Sequence, residues 1–402
     1  MRSRLRFEFS PMDTWFFKRP GPHDAVGASR LESQFPPPVG TVHGAIRSRL
    51  GDALEINWAE HANGGDNTVF GTATLSEIVG NGADAGCAVL EDLYMSLGVD
   101  RLYPAPATLI TINDEAQVYQ LRPGTPVCCD IGGVTPDGRL AAVTLPQAPK
   151  GGAIQALSGG WLRKDDFEKA LSGKRINYSD VLFTVDLLCR EERLGIGRNA
   201  RNGTVIDGLL YQTSHLRFIK DVCIVAELTV PHELKDVLIE SFEKDPIVRL
   251  GGEGRMASVQ ITPCDENTFP GTTTVPSDSQ GFMIYAVDRF LAEPHHAPVF
   301  LADFAEMLSD DSGVPVKYWR GVLHGVALDI HCLVTPKIER QAGWDLQRNA
   351  PKASQSWLQP GTVWFATPVS DSTQEAVVKL HGTRIQFEQN ESAARIACCA
   401  WQ

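Results

Sequence analysis

Three stretches carry side chains that could act on a phosphodiester chain. "RLGIGRNARNG" places Arg193, Arg198 and Arg201 around one glycine-rich turn. Guanidinium forks match phosphate oxygens and stack on bases; the alternative is a solvated, charged hairpin. "GGEGR" runs from Gly251 to Arg255. Gly252 and Gly254 would let backbone N–H groups approach a phosphate, with Arg255 beside them. No GK[ST] follows and no GxGxxG is formed, so a plain tight turn is the competing reading. "FPPPVGTVHGAIRSRLG" places His43 and Arg47 four residues apart, on one helix face, with Arg49 close behind. The competing reading there is an ordinary surface helix.

Two further stretches interleave aromatic and basic residues. "KYWRG" holds Lys317 and Trp319; "GWDLQRNAPK" holds Trp344, Arg348 and Lys352. Rings that stack on bases and cations that meet the backbone suit single-stranded RNA. The tryptophans could equally lie in a core.

Catalysis is poorly provided for. Metal-independent cleavage of RNA needs a base and an acid on either side of one phosphate. His43, His215 and His324 qualify by type, but they stand in separate motifs without a companion carboxylate. No GxSxG elbow occurs. Nine cysteines include the adjacent pairs Cys128-Cys129 and Cys398-Cys399 but no CxxC, and ten histidines include no HExxH. His295-His296 reads as part of a loop. These features predict reduced thiols in a cytoplasmic protein, with no metal, no cofactor and no catalytic residue.

These stretches need elements to position them. With 402 residues, the chain is expected to form two domains. "LRFEFS" alternates as a half-buried strand does. Pro36 to Pro38 stiffen an arm with Phe35 at its base. A helix follows, with Thr41 as N-cap and Gly51 as its stop. Residues 57–92 read as an irregular or hairpin insertion. Gly159 to Gly173 read as an amphipathic helix linking two halves. Then come a strand to about Arg190, the basic hairpin, strands over Leu209–Phe218 and Val222–Val230, a helix with Leu234, Val237, Leu238 and Phe242 on one face, the glycine loop and another strand. This order predicts an α+β fold of two ferredoxin-like or RRM-like domains around a central cleft, with hairpin and loop insertions. The expected boundaries are 1–172, carrying an acidic insertion at about 51–100, and 173–402, carrying the basic hairpin and the glycine loop.

The net charge is −12, which argues against promiscuous nucleic-acid binding. The charge is uneven, however. Residues 51–100 hold nine acidic residues and no Lys or Arg, whereas residues 193–220 hold five basic residues against one acidic. Such segregation predicts RNA in one groove and another partner on the acidic flank. No segment reads as a membrane span.

Together "DTWFF", "FPPPVGTVHGAIRSRLG", "RLGIGRNARNGTVIDGLLYQTSHLRF", "LGGEGR" and "GWDLQRNAPK" resemble the third Cmr subunit family of type III-B CRISPR effector complexes, within the RAMP superfamily. The resemblance spans roughly residues 5–365 in order. It implies an antiviral ribonucleoprotein subunit that holds the 5′ tag of the guide RNA (crRNA) without catalysis. It also implies a large polymerase-like subunit and a filament-forming backbone subunit as partners, with neither membrane nor direct DNA contact. By the resemblance the loop Gly251 to Gly254 contacts RNA and the hairpin Arg193 to Gly203 reaches the tag. The chain departs from the superfamily pattern at its end, where "HGTRIQFEQNESAARIACCAWQ" stands in place of a glycine-rich turn. Two other functions compete: a metal-independent endoribonuclease that matures crRNA, and a β-rich protein binding a carbohydrate or other small ligand through its tryptophans.

Overall fold

In the computed structural model the described residues are 1–19, 29–80, 86–112, 117–125, 139–145, 152–199, 201–264, 269–272, 274–309, 315–342, 344–345, 350–351, 353–385 and 394–401. Leu5, Phe7 and Phe9 point to one side of the first strand, β1 (Arg2–Pro11), and are fully buried. That alternation commits the strand to a sheet with one apolar face. The next elements of the same layer are α1 (Val39–Ala53), β2 (Val89–Leu97), β3 (Val222–Pro231), α2 (His232–Lys244) and β4 (Met256–Pro263). Their strands run β2-β3-β1-β4, each antiparallel to its neighbour. The two helices cover the apolar face, where Phe242 of α2 meets Phe7 edge-on at 5.5 Å.

A second sheet repeats this plan. β5 (Gly281–Ala286), β6 (Val326–Val334), β7 (Val363–Pro368), α3 (Thr373–Leu380) and β8 (Ala394–Trp401) place their strands in the order β6-β7-β5-β8, again antiparallel. Where the first layer has α1, the described residues here have only the 3₁₀ turn Pro294–His296 and strands, among them Val316–Leu323, which pairs with β6. The strand β8 is largely apolar and pairs along the whole of β5, with the short strand Arg384–Ile385 on its outer side.

All six residues of β5 are buried because the second sheet is covered on both faces. Phe282 and Ile284 join the α3 side. Met283 and Tyr285 meet a helix from the first half, Lys164–Leu171, whose Phe167 stacks on Tyr103 at 4.4 Å and also touches Tyr285. Of the stretch Gly159–Gly173 expected to form one helix, Gly160–Arg163 is a strand and only Lys164–Leu171 is helical, and that helix packs between the two halves.

The fold corrects four expectations. The sheets do not divide at residue 172: strands of the first come from positions 2 to 263, because β1 pairs with β3 and β4 across more than 200 residues. Helix α1 starts at Val39 behind Pro38, with no side-chain cap, so Thr41 lies inside its first turn. Gly51 lies inside the same helix; a Cβ there would run into the Trp58 ring, so this glycine lets Trp58 pack. The stretch 57–92 does hold a short hairpin, Thr68–Phe70 paired with Ala73–Thr74, but two short helices, Trp58–Ala62 and Leu75–Val79, flank it before the start of β2. Among the described residues no helix is long and apolar enough to cross a membrane.

Candidate nucleic-acid interface

The basic hairpin is built from Leu188–Arg198 and Val205–Phe218, with residues 199 and 201–204 at its tip. Its base is held by the segment Asp13 to Phe17. Trp15 exchanges backbone hydrogen bonds with Leu216, at 2.9 and 2.8 Å. Its ring is fully buried and meets Phe218 edge-on. The Phe16 carbonyl accepts the Gly252 N–H at 2.7 Å, which docks the glycine loop on the same segment.

Asp13 is the centre of this junction. One carboxylate oxygen accepts from Arg193 at 2.7 Å and Arg255 at 3.3 Å, and the other from Arg217 at 2.9 Å. Glu191 bridges Arg193 and Arg217 from the other side, at 2.6 Å to each. Arg193 above all holds the Asp13 carboxyl below the usual range, and Arg217 does the same for Glu191. Three guanidiniums against two carboxylates leave one positive charge on a rigid platform. Beneath it His215 stacks on Phe16 at 5.1 Å, its ring nitrogens facing the hydroxyls of Thr14 at 3.2 Å and Thr213 at 3.0 Å. Burial first, then Arg255 and Arg193, push this imidazole down to about 4, so it is neutral at neutral pH.

Beyond the platform the hairpin projects into solvent. Arg198 and Arg201 are exposed at its end, and Leu194, Ile196, Val205 and Leu210 expose apolar side chains along it. Cations alternating with apolar surface can meet phosphates and base faces together. The sequence matches the family described as CRISPR-associated protein (Cas_Cmr3) over residues 7–387. The chain belongs to the Cmr3 family. Comparison with curated proteins gives no match. Among solved structures, a chain of the type III-B Cmr-beta complex bound to cognate target RNA is similar at TM-score 0.46 and 14% identity, covering 90% of this chain and 86% of that one. The same complex with target RNA and AMPPnP gives TM-score 0.45 at the same identity and coverage. A chain of a type III-A Csm3–Csm4 subcomplex gives 0.35 at 10% identity, covering 91% and 94%.

The Cmr3-family chain gathers some of the expected residues and removes others from the interface. Arg193 and Arg255 converge on Asp13, and Arg198 and Arg201 are exposed at the hairpin end with no side-chain partner among the described residues. His43 is corrected to a core residue: it is 0% exposed and its Nε2 lies 2.7 Å from the Ala88 carbonyl. Arg49 is also structural, its Nη2 reaching the Asp245 carboxylate at 2.7 Å and the Ile247 carbonyl at 2.6 Å. Arg47, on the same helix, is half-buried. Lys317 is 12% exposed and paired with Glu306 at 2.7 Å. The N–H of Gly252 is occupied by Phe16, so it is not open to a phosphate. Gly254 has φ 65° and open space around its Cα. Trp319 is a core residue. Trp344 lies in a two-residue strand paired with Ala350–Pro351, while Arg348 and Lys352 lie outside the described residues. Sequence reasoning missed Asp13, Glu191 and Arg217. An acidic residue beside "TWFF" was the one available signal, and its three partners lie 180 or more positions away.

Proposed function

We propose that this Cmr3-family protein is a non-catalytic subunit that holds the 5′ tag of crRNA in a type III-B effector complex. The observation that carries the reading is the junction at Asp13, where hairpin and glycine loop are locked together and Arg198 and Arg201, without side-chain partners among the described residues, are pushed outward. Such a surface grips a backbone and offers little for bond cleavage. The candidate histidines support this. His43 and His215 are buried, and His324 is exposed on a tight turn with φ 47°, with no acidic partner among the described residues. The shared strand order of the two sheets supports reading each as a ferredoxin-like unit, the second without its first helix. The polymerase-like and filament-forming subunits are the proposed neighbours in a cytoplasmic complex, and the acidic stretch 51–100 faces protein or solvent.

The test is native purification of the complex followed by ultraviolet crosslinking. Guide RNA should crosslink to peptides covering residues 193–217. Crosslinks confined to other segments would overturn the assignment of the site. Cleavage of repeat RNA by the isolated chain would overturn the non-catalytic reading in favour of an endoribonuclease.

A further inference from the structure

We propose that Glu293, His295 and His296 form a binding site for a divalent transition metal, with Zn²⁺ the best match. The three side chains share one turn and point their ligand atoms at one another. His295 Nε2 lies 3.1 Å and His296 Nε2 3.4 Å from the same Glu293 oxygen. All three ligand atoms fall within 4.8 Å of one another. A zinc ion bonded at about 2.1 Å to tetrahedral ligands sets those ligands about 3.4 Å apart. Two of the three edges of such a site are therefore already in place. Turning the exposed His295 ring closes the third.

The turn that carries them is fixed at both ends. Before it, the Ala292 N–H donates to the Ser356 carbonyl at 2.8 Å. After it, the Trp364 indole N–H donates to the Val299 carbonyl at 2.7 Å, and Ala292 and Val299 are both buried. Within it, the His296 N–H donates to the Glu293 carbonyl at 3.0 Å and the Phe300 N–H to the His296 carbonyl at 2.6 Å. Little backbone freedom remains to be lost on binding. Two imidazoles and one carboxylate select zinc, cobalt or nickel over magnesium and calcium, which prefer oxygen ligands. Three protein ligands leave the fourth position to water.

The untagged full chain would be titrated with Co²⁺, whose visible absorption reports its geometry, and then with Zn²⁺ in competition. One equivalent of Co²⁺ should give a tetrahedral-type spectrum that Zn²⁺ abolishes. His295→Ala and Glu293→Gln should each weaken binding at least tenfold, and His295→Ala with His296→Ala should remove the spectrum. Because His295 is 69% exposed, His295→Ala should keep the metal-free melting temperature of the parent. Zn²⁺ should raise the parent's melting temperature but not the double variant's. An unchanged affinity in the double variant, or no cobalt spectrum in the parent, would overturn the site.

Discussion

Arg289 donates from Nη2 to the carbonyl oxygen of Pro36 at 2.6 Å, joining residues 253 positions apart. It also donates from Nη1 to Gln341 at 3.0 Å. The stiff proline arm thus offers a carbonyl at a fixed place, and the second half of the chain grips it. Phe35, at the base of the arm, packs edge-on against Trp161 and Phe218. Around this clasp lies a cavity of about 70 Å³, walled by Phe35, Pro37, Met95 and Trp161 with Asp288 at its side. Next to it, Asp92 accepts ion pairs from Arg101 at 3.2 Å within its own half and from Arg395 at 3.1 Å across the joint. The joint between the halves therefore combines an aromatic wedge with buried charge.

Arg289→Ala should destabilise the protein by about 2–4 kcal/mol, since it leaves the Pro36 and Gln341 oxygens without their donor. Burial already pushes the guanidinium down to about 10, so this charge is held at some expense by its surroundings. Arg289→Met, which fills the space without a charge, should lose less than Arg289→Ala. Urea unfolding monitored by tryptophan fluorescence measures both. Equal stability of Arg289→Ala and the parent would show that the clasp contributes nothing.

Local signals in the sequence were legible wherever the partner lies nearby. β1 showed itself by alternation, α2 by the spacing of Leu234, Leu238 and Phe242, and the hairpin by its glycines. What could not be read was the identity of distant partners. Arg49 reads as a free cation until Asp245 arrives beside it 196 residues later. His43 reads as exposed until Ala88, the residue just before β2, supplies its carbonyl. Gly51 has the type of a helix stop, and only the Trp58 ring packed over it shows why a glycine stands inside the helix. Asp13 has nothing local to mark it, because the Arg193, Arg217 and Arg255 it gathers come from three later segments.

The glycine loop should respond unequally to alanine. Gly251 has φ 94°, and a Cβ there would lie 2.7 Å from the Phe16 carbonyl oxygen. Gly254 has φ 65° with nothing near a Cβ. Gly254→Ala should cost about 1 kcal/mol for the left-handed backbone alone. Gly251→Ala should cost at least about twice that, because strain and a backbone clash add. Chemical denaturation of the two variants compares them, and the reverse ranking would contradict the geometry.

His215 should make the protein acid-sensitive. Its folded pKa, about 4, lies below the ordinary value of 6.5, so the unfolded chain binds the proton more readily. Stability from this residue is full above pH 6.5 and is lost as pH falls toward 4. His215→Gln keeps hydrogen-bonding capacity without titrating. Between pH 6.5 and 4 its stability should fall less steeply than the parent's, by up to about 1.4 kcal/mol per pH unit. Parallel pH profiles for the two proteins would mean that the imidazole is not held neutral.

The arginines should separate into two classes when guide binding is measured against salt. Arg198 and Arg201 have no side-chain partner among the described residues, so each is free to replace a counterion on RNA. Arg198→Ala and Arg201→Ala should each lower the slope of log K against log salt by about one. Arg49→Ala should leave the slope unchanged, because its guanidinium is engaged by Asp245 and Ile247; it should instead cost about 1–2 kcal/mol of stability. Asp13→Asn provides the decisive contrast. It removes the carboxylate that restrains Arg193, Arg217 and Arg255, and it leaves each more available to phosphate. Its salt slope should steepen while its stability changes by no more than about 1 kcal/mol, the usual range for exposed ion pairs. An Asp13→Asn variant with weaker RNA binding and a flatter slope would mean that the paired arginines act on RNA only when Asp13 orients them, and that the hairpin end is not the principal contact.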